Sequence, residues 1–460
     1  METNMIRLYN TLTRKKEDFT PLHEGHVGMY NCGPTVYDRA HIGNLRAYVF
    51  SDTLRRVLEL QGLTVLQVMN ITDVGHLSSD GDSGEDKMTK GLKREGLPLT
   101  LDGMKTLADT YTRIFEKDIA ALNIEHPHEL PRASEHIQEQ IDIISKLKEK
   151  GFVYTTKDGV YFDTNKDVNY GKLGGLTPLD DSQERISGND EKKNPRDFAV
   201  WKLNSEIGWE SPWGKGFPGW HIECSAMAMK YLGESFDIHT GGIDHIPVHH
   251  NNEIAQSENA TGKQFARFWI HGAFLNIDNT KISKSLGNFI TLEDLQEKGI
   301  SPIAYRYWLL TGHYRSELNF SLEALEAGQN AYNKLIDRLR SFGTEVGTVD
   351  IGYEAKFLEA VNDDLNTPQV IALMWDMLKD DSLSDKDKKA TLFYFDRVLG
   401  LGLRDIRAIE ILEEIQILLN ERESARKAKE WAKADELREK IAGLGYDVKD
   451  SADGYTIFAK

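Results

Sequence analysis

The order of apolar runs predicts an α/β fold, a Rossmann-like doubly wound parallel sheet carrying an insertion, followed by an all-helical domain and a small C-terminal α+β domain. Three observations predict it. The strand-like VGMYNC (residues 27–32), a helical stretch and the strand-like LTVLQVMNITD (63–73) form a βαβ unit. A strand ending in glycines, FDIHTGG (236–242), is followed by the helical NNEIAQSENATG (251–262), as a returning half of the same sheet requires. From about Ser321 the pattern becomes repeatedly helical, as in LEALEAGQNAYNKLIDRLRSF and PQVIALMWDMLKD.

Each element has its own reason. Near Asn44 a 3.6-residue period begins, with Leu45, Tyr48, Val49, Leu54, Val57 and Leu58 on one face. The loop before this helix opens onto its N-terminus, where backbone N–H groups favour phosphate. A helical stretch is expected from about Leu99 to Gly151. FVYTTKDGVYFDT (152–164) reads as two strands joined by an Asp-Gly turn. Residues 180–197 are polar and aperiodic, a loop in a region that looks inserted. GWHIECSAMAMKYLG (219–233) is a helix, and FARFWIHGAFLNI (265–277) is strand-like and leads into the loop KISKSLGN. The last 55 residues or so begin with a charge-laced helix and end in a hairpin turning at ADG.

Bulk properties narrow the class. A chain of 460 residues suggests several domains and has ample core, and no apolar run approaches a membrane span of about 18 residues. The polar N-terminal stretch does not look like a signal peptide, so the cytoplasm is the expected location and no membrane contact is expected. Net charge is −17, so contact with a polyanion has to rely on local basic patches. The only two cysteines, Cys32 and Cys224, are too few for a disulfide scaffold and lack CxxC spacing. On count alone they read equally as two unrelated buried thiols.

Three short stretches carry chemistry. In VHHNNEI (248–254), His249 and Glu253 are four apart and would share a helix face suited to a metal, with His250 pointing about 100° away. The alternative is an ordinary surface helix start. In AHIGN (40–44), Gly43 lets a flat base approach the backbone, and His41 can donate to a phosphate as charge grows on it. In KISKS (281–285), Lys281 and Lys284 could neutralise a pyrophosphate, with Gly287 as a hinge, although such a loop can equally be a solvated basic one.

The order and spacing of AHIGN and KISKS resemble the HIGH and KMSKS signatures of class I aminoacyl-tRNA synthetases. YNTLTR, MYNCGPTVYDRAHIGN, NITD, NPRDFAVWK, SPWGKGFPGWHIECSAM, FDIHTGGIDH, HHNNEIAQSE, KISKSLGNF, GHYRS and DLNTP narrow the resemblance to the cysteinyl-tRNA synthetases, over nearly the whole chain. Two positions depart from the signatures: Asn44 replaces a histidine and Ile282 a methionine. The asparagine amide can donate to phosphate but cannot become cationic.

The resemblance implies one Zn²⁺ per subunit, held by Cys32, Cys224, His249 and Glu253. Zinc would read the sulfur of L-cysteine directly, because it binds a thiolate at about 2.3 Å and a serine hydroxyl poorly. A purely apolar pocket rejects a near-isostere by only about a hundredfold. No separate editing domain is therefore expected. The resemblance further implies ATP with Mg²⁺, contacts to substrate and nucleotide from Gly33, Gly43, Thr72, Trp220, His239 and Asp244, and catalytic roles for His41, Asn44, Lys281 and Lys284. His221, His245 and His250 have weaker claims. The implied division is 1–115 and 220–275 for the two halves of the catalytic domain, 116–219 for a connective insertion and 276–320 for the KMSKS-like loop and stem-contact region. Residues 321–405 then form a helical anticodon-binding bundle, and 406–460 a small terminal domain in which Trp431 either stacks on tRNA(Cys) bases or packs on its own helix. A monomer is expected.

Two other functions stay open on the residues. One is a ligase joining cysteine to an amino sugar, against which the extended C-terminal end argues. The other is a non-catalytic binding protein on a decayed synthetase scaffold, against which the intact His41, Lys281, Lys284 and zinc positions argue.

Overall fold

The apolar period after residue 41 becomes a helix because both of its ends are specified. In the computed structural model, which describes residues 5–74, 87–176, 191–277, 280–281, 288–406, 413–451 and 454–459, the chain opens with an antiparallel hairpin, β1 (Arg7–Asn10) and β2 (Lys15–Asp18), that the patterning does not announce. β3 (His26–Asn31), α1 (Ile42–Leu60) and β4 (Thr64–Met69) then form the expected βαβ unit. His41 caps α1, and Gly62, at φ +83°, supplies the left-handed turn after its end. Leu45, Tyr48, Val49, Leu54, Val57 and Leu58 are all buried, each stabilising the fold by about 1.5–3 kcal/mol.

The 99–151 stretch is two helices, α3 (Leu101–Ala121) and α4 (Ile137–Glu149), preceded by an unforeseen α2 (Lys87–Glu95). Pro127 and Pro131 break the run, and the segment between the helices lies extended along β4, with Met69 N–H donating to Glu129 O at 3.0 Å and Ile71 N–H to Pro131 O at 2.8 Å. The Asp-Gly turn joins β5 (Val153–Thr155) to β6 (Gly159–Phe162). β7 (Phe198–Leu203) and β8 (Gly216–Pro218) complete an antiparallel sheet in the order β5-β6-β7-β8. Most of the loop expected at 180–197 lies outside the described residues.

The returning half is α5 (Trp220–Leu232), β9 (Phe236–Gly242), α6 (Asn251–Thr261) and β10 (Ala266–Gly272). The central sheet has the order β4-β3-β9-β10 with every strand parallel. The chain leaves β3 in one direction to β4 and later places β9 on its other side, so the strand order switches between β3 and β9, where such sheets bind ligands at the strands' carboxyl ends.

The run 265–277 is not one strand. It bends after β10 at Ala273 and Phe274, whose carbonyls accept from Arg46 at 3.0 and 2.5 Å, and continues as β11 (Leu275–Ile277) in a separate sheet with β12 (Thr280–Lys281) and, beyond α7 (Leu292–Glu297) and α8 (Pro302–Leu310), β13 (Leu318–Phe320).

The helical region is α9 (Leu322–Ser341), α10 (Ile351–Asn362), α11 (Thr367–Lys379) and α12 (Asp385–Leu399). It is bolted to the parallel-sheet part by the fully buried Arg306, which donates to Asp52, Leu122, Asn123 and Leu399. α13 (Glu413–Lys427), α14 (Trp431–Gly443) and the hairpin β14 (Tyr446–Ser451) and β15 (Gly454–Ala459) have their own small core of Ile415, Leu419, Ile441 and Val448. Trp431, the first residue of α14, is 59% exposed. Among the described residues, no helix is long and apolar enough to cross a membrane.

Candidate functional site

At the switch point lies a cleft of about 380 Å³ whose lining runs from Cys32, Cys224 and His249 at one end to His41, Gly43 and Asn44 at the other. Cys32 follows β3, and its N–H donates to Thr240 O at 3.2 Å. Cys224 comes from α5, one turn after Trp220. His249 and Glu253 come from the start of α6, where residues 246–250 form a single π-type turn. These far-apart segments meet because the end of β3 and the first turns of α5 and α6 share one edge of the sheet.

The helical spacing turns His250 away from this cluster, and the structure corrects that expectation. Ligand atoms of Cys32, His249, His250 and Glu253 all lie within 4.8 Å of one another. His250 Nε2 is 3.3 Å from Cys32 Sγ and 3.9 Å from Glu253 Oε1. The physical reason is the π turn: its wider winding replaces the 100° step of an α-helix, so that two adjacent rings reach the same cluster. Cys224 adjoins the same group through hydrogen bonding with Cys32 and His249.

Electrostatics prepare the group for a cation. Hydrogen bonding from Cys32 lowers the Cys224 thiol to about 6, against the effect of burial. Burial, then the hydrogen bond with Cys224, pushes the Cys32 thiol up. Burial would raise the Glu253 carboxyl, but His239 and His249 outweigh it and hold it at about 2. Burial opposes charge on His249, yet Glu253 and Cys224 raise it to about 10. Glu253 Oε1 lies 3.0 Å from His249 Nε2 but receives no well-directed hydrogen bond among the described residues. A fully buried carboxylate oxygen left unsatisfied, beside two sulfurs and an imidazole, fits a zinc donor set.

His239 is a second correction. It does not line the cleft but lies fully buried beneath it, Nε2 2.9 Å from Glu253 Oε2 and its ring stacked on Trp269 at 4.5 Å. The strand register explains this: His239 sits between Tyr30 of β3 and Trp269 of β10, on the covered face of the sheet. Its contact is with Glu253, beneath the cleft and not in its lining.

The other expected residues line the cleft. Gly33 is required by close approach, because a Cβ there would sit 1.8 Å from Asn70 O. Asn70, which sequence reasoning misses, accepts from Gly33 N–H at 2.8 Å and donates to Thr72 Oγ1 at 3.1 Å, bracketing the loops after β3 and β4. Trp220 lies 4.3 Å from the His249 ring, and Asp244 occupies the space that Gly242 leaves open.

At the far end, His41 and Asn44 form a reciprocal cap: His41 Nδ1 accepts from Asn44 N–H, and Asn44 Oδ1 accepts from His41 N–H, both at 3.2 Å. Ile42 N–H donates to Ile290 O at 2.9 Å, so the segment following residues 282–287 docks beside His41. Only the backbone of Lys281 is described, on β12 opposite Asn276, and Lys284 and Gly287 lie outside the described residues.

Comparison with known proteins agrees with this geometry. Residues 18–330 match the family described as the tRNA synthetases class I (C) catalytic domain, 356–403 the DALR domain, and 410–457 the cysteinyl-tRNA ligase anticodon binding domain. Cysteine–tRNA ligase 1 of Burkholderia lata is 49% identical over 98% of this chain and 97% of its own. The cysteine–tRNA ligase of Treponema denticola is 43% identical over 99% of each. In fold, the chain is similar to methionyl-tRNA synthetase of Mycobacterium tuberculosis in complex with methionyl-adenylate, with a TM-score of 0.55 and 16% identity over 86% of this chain and 94% of that one. The chain belongs to the cysteine–tRNA ligase family of class I aminoacyl-tRNA synthetases.

Proposed function

We propose that this protein activates L-cysteine with ATP and transfers it to the 3′ end of tRNA(Cys), working as a monomer in the cytoplasm. The observation that carries the reading is that Cys32, His249 and Glu253 bring ligand atoms within 4.8 Å of one another, with Cys224 hydrogen-bonded to Cys32 and His249, at the end of a cleft whose other end is the His41–Asn44 cap. Zinc held by those four residues supplies a Lewis acid that accepts a thiolate and discriminates against a hydroxyl. His250 is kept for Cys32 and not counted as a ligand, because soft sulfur donors at Cys32 and Cys224 suit zinc better than a second imidazole does.

The chain's own residues do the positioning. Asp244 takes the ammonium group of cysteine, and Trp220 walls the pocket over His249. Thr72 accepts from Asn70 Nδ2 and hydrogen-bonds the buried Glu223 carboxyl, which fixes the loop after β4 in the wall of the pocket. The carboxylate of cysteine attacks the α-phosphate of ATP, which arrives with Mg²⁺, and pyrophosphate leaves. Gly43 and Gly33 admit the nucleotide, while His41, Lys281 and Lys284 neutralise the charge that develops on phosphate and the Asn44 amide donates to it. The terminal ribose hydroxyl of tRNA then attacks the carbonyl of the adenylate, AMP leaves as the acyl–phosphate bond breaks, and the ester is formed. Exposed Trp431 stacks on an anticodon base.

The C-terminal match over 410–457 favours this reading over a small-thiol ligase. The test is zinc content together with cysteine-dependent ATP–pyrophosphate exchange, then transfer to tRNA, with serine as competitor. Zinc at one per chain, exchange with cysteine alone and transfer are expected. No exchange with cysteine overturns the reading, and exchange without transfer favours the small-thiol ligase.

A further inference from the structure

The N-terminal YNTLTR segment lies outside the parallel sheet and takes no part in the cleft, yet it is held firmly against β10. Asn10 donates through Nδ2 to Arg267 O at 3.0 Å and accepts through Oδ1 from Trp269 N–H at 3.1 Å, and Thr11 N–H donates to Trp269 O at 2.8 Å. These bonds put the Thr11 hydroxyl 2.7 Å from Nδ1 of His271 on the same strand. His271 Nε2 is in turn 2.7 Å from His250 Nδ1, and His250 Nε2 is 3.3 Å from Cys32 Sγ. His271 and His250 are 3% and 0% exposed, so each link lies out of contact with bulk solvent.

Each link constrains the next. An imidazole held at one nitrogen only can swing about its Cβ–Cγ bond, whereas a ring held at both nitrogens has a fixed plane. With Nδ1 of His250 engaged by His271, its Nε2 is aimed at the sulfur of Cys32 and at nothing else at hydrogen-bond distance. A partner of that kind fixes where a sulfur ligand sits and how much charge it carries, and removing such partners costs about 10–100-fold in metal affinity or activity.

We propose that Thr11 and His271 are positioning residues which act through His250 to hold Cys32 Sγ in place, and thereby set the thiol selectivity of the site. This rests on the zinc reading given under the proposed function. Neither residue touches substrate. The relay explains why an N-terminal segment remote from the nucleotide is pinned by two consecutive side chains to the strand beneath the cluster.

The test uses the full-length protein with Thr11→Val, which keeps the shape and removes the hydroxyl, and Thr11→Ser, which keeps the hydroxyl. Zinc affinity is read by competition with a chromophoric chelator, and cysteine and serine are compared in ATP–pyrophosphate exchange. Thr11→Val is expected to weaken zinc about 10-fold and to raise the KM for cysteine with kcat little changed, while Thr11→Ser restores both. His271→Asn, whose amide can still donate to His250, is expected to fall between wild type and Thr11→Val. Wild-type protein that binds no zinc overturns the zinc reading, and this one with it. Zinc bound by wild type and equally well by Thr11→Val, with an unchanged KM, overturns the relay alone. Loss of thermal stability without a change in zinc affinity or KM assigns Thr11 to packing and also overturns it.

Discussion

The floor of the cleft and its rim are built in opposite ways. Cys224, His249 and Glu253 are at most 2% exposed and sit on helices, with Cys32 directly after a central strand. The rim is a helix cap, with Asn44 exposed and Ile290 docked beside it. The difference follows from what each must do. Telling sulfur from oxygen depends on ligand geometry, which must be preset by packing and hydrogen bonds. Neutralising a pyrophosphate that must leave depends on cations that can reach it in water. Selectivity is therefore expected to fail at the floor and rate at the rim.

The largest effect is expected at the floor. Cys224→Ser removes a thiolate from a four-ligand site, so zinc should fall below one per chain and kcat/KM for cysteine should drop by more than about 10³-fold, with discrimination against serine lost as well. Metal analysis and pyrophosphate exchange measure both. Zinc at full stoichiometry in this variant would assign the fourth place to His250, whose Nε2 is the nearest other donor to Cys32.

Lys284→Ala, which removes a cation proposed to meet the pyrophosphate, comes next. Charge stabilisation lost in the transition state costs about 10²–10³-fold in kcat. Zinc content and the KM for cysteine should stay near wild type. A variant that lost zinc would show that rim and floor are coupled and would break the contrast between them.

How much of this is legible in the sequence also divides along that line. α1 is readable because six apolar residues repeat at 3.6 and a glycine ends the run. Cys32 and Cys224 stand in distant parts of the chain, and no local period joins them; only the family resemblance does. His250 escapes because a single π turn leaves no trace in hydrophobic spacing. His239 escapes because a histidine on a sheet looks the same from either face until the register places it between Tyr30 and Trp269. Thr11 and His271 meet only because the turn of the β1–β2 hairpin, which the patterning never announces, docks against β10. Long periodic elements are written locally, whereas cross-strand neighbours are written by topology.

Trp431 lies outside both regions and serves as a control for the comparison. Stacking of one base is worth about 1–3 kcal/mol, so Trp431→Ala should raise the KM for tRNA by about 10–100-fold. Pyrophosphate exchange, which needs no tRNA, should be unchanged. An equal loss of exchange would mean that this residue supports the catalytic part and does not read RNA.

The smallest effect sharpens the rim itself. Asn44 stands where related signatures carry histidine, and the structure gives it a local role. Its amide oxygen accepts from His41 N–H at 3.2 Å while its own N–H is held by the His41 ring. Asn44→Ala removes one half of that reciprocal cap, which should cost about 1 kcal/mol of stability. Because the ring of His41 keeps its bond to the backbone N–H of residue 44, kcat should fall only a few-fold, and thermal unfolding should register the change more clearly than the rate does. Asn44→His separates structure from charge: a faster adenylation step would show that the rim lacks a cation at this position, and an unchanged rate would show that the cap, not the charge, is what this residue contributes.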